Sequence, residues 1–124
     1  MKRKQIDEFE TLNGQLQSFY TEINTLVKKS PNDALNAFKL RLLNSALEKA
    51  NRVLGTSRVP FADFEVFADE EMPTNSDVLL MVSQYLNALE QLRIENIYFD
   101  SFQWLWRCDD EADPLTFAPK KLRK

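Results

Sequence analysis

Nineteen carboxylates, one thiol and no imidazole set the chemical repertoire of this chain. Without histidine, the commonest general base, the commonest metal ligand and every imidazole-dependent serine or cysteine triad are missing. Cys108 is the single cysteine, so the zinc spacings built from Cys and His cannot be assembled and carboxylate clusters remain the only metal candidates. Gly14 and Gly55 are the only glycines, too few for a phosphate-cradling loop or a dinucleotide fingerprint. No catalytic residue, metal site or cofactor is assigned on this basis. The residual enzymatic reading is a small metal-dependent enzyme using carboxylates such as Glu70 or Asp77.

Binding is the better-supported chemistry. Asp63, Glu65, Asp69, Glu70, Glu71 and Asp77 follow one another with no basic residue from Val59 to Leu92, the largest one-sign field in the chain. Their spacing matches no calcium loop, and the central glycine of such a loop is missing. Two readings follow: a solvated segment whose charges favour the start of the next helix, or a docking surface for a basic protein partner. Leu80, Asn87 and Ile94 recur at intervals of seven and form a second line opposite the main apolar stripe of their helix, suited to a partner or a second copy of the chain. Trp104 and Trp106, with Phe99 and Phe102 close by, are either core or interface anchors.

These residues are positioned by three amphipathic segments. From about Lys4 to Lys29, apolar residues recur at separations of three and four, predicting a helix with Gly14 on its polar side. Ser30-Pro31-Asn32-Asp33 reads as a start signal for a second helix over 31–54, with Gly55 beyond its end. Its apolar residues, Leu42 and Leu43 among them, span an arc of about 200° on a helical wheel, which predicts cover on two sides and a central place in the bundle. Lys39 falls inside that arc, where it must snorkel outward or meet a carboxylate. Residues 56–73 lack helical periodicity but are rich in aromatics, predicting a packed connection. Thr74 and Asp77 make a second capping sequence for a helix over about 75–96. The segment from Phe102 to Arg107 predicts a small β-hairpin or an aromatic turn.

The fold expected is a single mainly α domain, a three-helix bundle closed by that C-terminal element. A chain of 124 residues with 44% hydrophobic content can close one core. No export signal and no run of roughly 18 apolar residues is present, so a cytoplasmic protein without a membrane partner is expected. The net charge of −3 is unevenly placed: seven of the sixteen basic residues lie in positions 1–4 and 120–124, leaving −10 over residues 5–119. Attraction of nucleic acid to the body is disfavoured, which leaves the basic ends at 1–4 and 120–124, expected to be mobile, as the route to it. The expectation is thus a non-enzymatic interaction module, a small regulatory or accessory subunit whose apolar lines could also pair with a second copy as a homo-oligomer. The rival reading is a nucleic-acid-associated protein, or an acidic mimic of nucleic acid.

Overall fold

The computed structural model describes residues 1–122; the expectation for Arg123 and Lys124 lies outside the described residues. Three helices, α1 (Arg3–Lys29), α2 (Ala37–Leu54) and α3 (Asn75–Ile94), are followed by a sheet of β1 (Ile97–Asp100), β2 (Gln103–Trp106) and β3 (Leu115–Thr116). The fold is the mainly helical bundle with a small C-terminal hairpin that the sequence predicts, extended by one short strand. The sheet is antiparallel in the order β1, β2, β3, with Ile97 opposite Trp106 and Trp104 opposite Thr116.

The second helix begins six residues later than its local start signal. Residues 31–35 give their backbone groups to the segment that opens α3: Leu35 N–H donates to the Pro73 carbonyl at 3.0 Å, and the Asp33 and Pro31 carbonyls accept from Asn75 and Ser76. Buried or half-buried backbone groups must find partners, and a tertiary partner outcompeted the first helical turn here. Asn36 then caps α2, its side chain accepting from Lys39 N–H at 2.8 Å. Thr74 caps α3 as predicted, accepting from Asp77 N–H at 3.2 Å. These bonds set the starts of α2 and α3 side by side, so the two run parallel and α1 runs against both.

Helix α2 is not the centre. Its buried residues, Leu40, Leu43, Ala46, Leu47, Ala50 and Leu54, occupy an arc of only about 120°. Leu42 is 49% exposed and Phe38 lies open beneath the Arg41 guanidinium. Helix α3 touches α1, α2 and β1 and buries residues over a wider arc, about 160°. Lys39 resolves as a surface contact: its ammonium meets Glu22 of α1 at 2.6 Å.

The sheet covers α1 and α3 from another flank. Trp106 is wholly buried, its ring edge-on to Phe9 at 5.2 Å and its indole N–H donating to Glu10 at 2.9 Å. The buried pair Glu90 and Arg93 holds the chain that follows β3. Arg93 donates to both Glu90 oxygens, to Thr116 and to the Phe117 and Ala118 carbonyls, while Glu90 accepts from Lys120 N–H. Every guanidinium nitrogen is thereby engaged, which is the condition for burying such a charge.

The amino end is tied down as well. The Met1 ammonium sits 3.1 Å from Asp109 and Arg3 N–H donates to Asp110. That backbone bond holds the Asp110 carboxyl below the ordinary carboxylate range, and the Tyr98 hydroxyl, then Cys108 N–H, do the same for Asp113. A carboxyl whose folded pKa is depressed adds stability above its unfolded value near 4, and that stability is lost as pH falls through the folded value. Acidification below roughly pH 4 is therefore expected to loosen the 107–114 segment before the helices. Tryptophan emission from the sheet should shift ahead of far-ultraviolet circular dichroism.

Candidate functional site

Residues 56–73 form a strap along α2, and the way it is held decides which side chains face outward. Gly55, at φ +74°, ends the helix and turns the chain back. Two asparagines one heptad apart on the polar strip of α2 then act as rungs. Asn44 clips Phe67 from both sides, donating to its carbonyl at 2.8 Å and accepting from its N–H at 3.1 Å. Asn51 donates to the Glu65 carbonyl at 2.9 Å and accepts the Tyr85 hydroxyl of α3 at 2.5 Å. Burial pushes the Tyr85 phenol up from its ordinary value, so it stays a donor across the physiological range.

Phe64 and Phe67 turn inward and meet edge-on at 5.0 Å, with Phe64 also against Tyr85 at 6.4 Å. With its backbone satisfied by amides and its aromatics packed, the strap must turn its other side chains to solvent. Asp63, Glu65, Asp69, Glu70 and Glu71 are all exposed, as is Asp77 in the first turn of α3, and none of the six forms an ion pair among the described residues. Asp69–Glu71 is a single 3-10 turn, fastened where Glu71 accepts from Ala68 N–H at 2.9 Å. Met72 follows at φ +48° and is 67% exposed. Between this turn and α2 lies a cleft of about 430 Å³, with Val66, Phe67 and Ala68 on one wall and Asp69 and Glu70 at its rim.

The remaining sequence-derived candidates divide. Leu80 is exposed, whereas Asn87 and Ile94 on the same line are half-buried. Trp106 is withdrawn as a contact residue, since its ring is fully enclosed by the core. Trp104 is half-buried under Phe99, with ring centroids 5.5 Å apart. The acidic strap and Leu80 are thus open to a partner, and the tryptophans are not the open aromatics. Those at the sheet are Phe99, Phe102 and Phe117, with Phe38 on α2 and Phe61 in the strap also exposed.

Among the described residues, no three carboxylate or thiol groups come together in a way that could hold a metal ion. A larger groove of about 1080 Å³ separates the first half of α1 from the end of α2. Its walls mix Lys4, Lys49 and Arg52 with Glu8, Asp110 and Glu111, so it presents no single sign of charge. No helix is long and apolar enough to cross a membrane among the described residues.

The Asn44 clip can be tested directly. Asn44→Ala leaves the Phe67 N–H and carbonyl without partners at a half-buried position, at a cost of about 1–3 kcal/mol. Hydrogen exchange should quicken across residues 63–70 while the Leu43 and Leu47 region of α2 stays protected. No family model matches this chain, and neither a curated protein nor a solved structure does.

Proposed function

We propose that the chain is a non-enzymatic interaction module, a regulatory or accessory subunit that offers its acidic strap to a basic segment of a protein partner. One observation carries this reading. Six exposed carboxylates form no ion pair among the described residues, five on a strap whose backbone Asn44, Asn51 and Glu71 hold and Asp77 in the first turn of α3. A charged surface that is already ordered loses less conformational entropy on association, and charge complementarity raises encounter rate and selects partners. Met72 and Leu80 add apolar contact beside the charges. The chemistry left to the chain supports the same conclusion, because no imidazole is available for general base or nucleophile activation.

The test is a titration of isotopically labelled protein with an amphipathic, lysine- and arginine-rich peptide, read residue by residue by nuclear magnetic resonance. Shift changes should concentrate on residues 63–77 and Leu80 and weaken with added salt. Asp69→Lys with Glu70→Lys should lower the affinity by about tenfold or more. Shifts scattered over the whole surface, or an affinity indifferent to the reversal, would overturn the proposal.

A further inference from the structure

The end of the sheet carries an apolar surface that the fold leaves bare. Ser101 and Phe102 join β1 to β2 with φ of +49° and +65°, the left-handed pair of a type I′ turn, where Asn and Gly are the favoured residues. Phe102 is 96% exposed at this tip. Close to it by the strand register, Phe117 is 78% exposed; Leu115 is more than half exposed on one face of the sheet and Phe99 on the other. Lys120 and Lys121 follow, exposed and in no ion pair among the described residues. Asp100, exposed at the end of β1, offsets one of these charges, and the end as a whole is complementary to a surface that is apolar and acidic.

We infer that the chain associates head to tail with itself, the Phe102 and Phe117 end and Lys120 and Lys121 of one copy docking on the acidic strap of the next. This rests on the reading of the strap as a docking surface and names a partner for it. The strap supplies both complements: the cleft walled by Val66, Phe67 and Ala68, and the carboxylates Asp69 and Glu70 at its rim. Arg41 also lines that cleft, so the basic residues belong on the Asp69 side.

The two surfaces cannot meet within one chain. The strap is bonded to α2 and to Tyr85 of α3, whereas the tail is pinned by Lys120 N–H on Glu90. Tyr85 and Glu90 point about 140° apart around α3. A closed two-fold pair would need both contacts to form at once between the same two copies, which patches on different sides of α3 do not favour. Contact between two different patches gives a ring or an open chain of copies.

Mixing of two variants tests this. One, Asp69→Lys with Glu70→Lys, keeps the hairpin end and loses the strap. The other, Ser101→Asn with Phe102→Gly and Phe117→Ser, keeps the strap and loses the hairpin end. The Asn-Gly turn should leave the second variant folded, with a thermal midpoint near or above that of the parent. The parent should grow in mass with concentration and revert at high salt, by sedimentation velocity. Each variant alone should be a monomer, and the mixture a one-to-one dimer. A parent that stays monomeric while the basic peptide still binds the strap overturns self-association and leaves the strap reading standing. Self-association that survives either variant, or a mixture that stays monomeric, overturns it as well.

Discussion

Arg93→Ala is expected to cost about 3–5 kcal/mol of unfolding free energy, the largest loss available from a polar side chain in this protein. The substitution strands the Glu90 carboxylate, whose side chain is only 10% exposed, without its countercharge. It also removes the donors that hold Thr116, Phe117 and Ala118, so the segment after β3 should detach. Urea denaturation measures the loss, and limited proteolysis after residue 114 reports the detachment. A paired substitution separates the two effects: Arg93→Met with Glu90→Leu removes both charges together and should recover most of the stability, since a buried ion pair often contributes little more than well-packed apolar groups. The tail should remain protease-sensitive in that variant. Recovery of protease resistance as well would show that the clasp is not what holds the tail.

Trp106→Ala should cost a comparable amount, about 3–5 kcal/mol. The ring is completely enclosed, lies against Phe9 and spans the gap between α1 and the sheet. Its loss also leaves the Glu10 carboxylate without the indole donor. Trp104→Ala offers the control: that ring is half-buried, so the loss should be clearly smaller. Equal losses by chemical denaturation would mean that the outer end of the sheet is packed as tightly as its base, contrary to the exposure of Phe99 and Phe102.

How much of this could be read from residue order depends on whether the deciding partner is local. The limits of α1, the Thr74 cap and the packed character of residues 56–73 are local or periodic properties, and they emerge as expected. The start of α2 does not, because Pro73, Asn75 and Ser76, some forty residues away, take the backbone groups that a first turn would have used. Leu42 belongs to a wheel arc that looks core-facing, yet the strap docks on the polar strip of α2 through Asn44 and Asn51 rather than on the apolar flank. Hydrogen-bond demand from the strap backbone, not hydrophobicity, chose the docking side. Arg93 has a signal in the sequence: it lies four residues from Leu89 and seven from Leu86, inside the apolar stripe, the same anomaly that Lys39 shows on its own helix. Glu90, three residues before it, is the acid that such a position requires. The aromatic cluster around Trp104 and Trp106 is legible in the sequence, but which of its members lie bare is not, since only the sheet register buries Trp106 and leaves Phe102 at an outer end.

The contact between Phe9 and Trp106 has a bearing on how the chain matures. Phe9, in the second turn of α1, is covered by Trp106 of β2, so this part of the α1 surface stays open until β2 has left the ribosome. Contacts between such distant residues form late, because the intervening loop must first be closed at an entropic cost. Nascent chains arrested before β2 should therefore expose this end of α1 to chaperones, and release past Trp106 is the step that shields it.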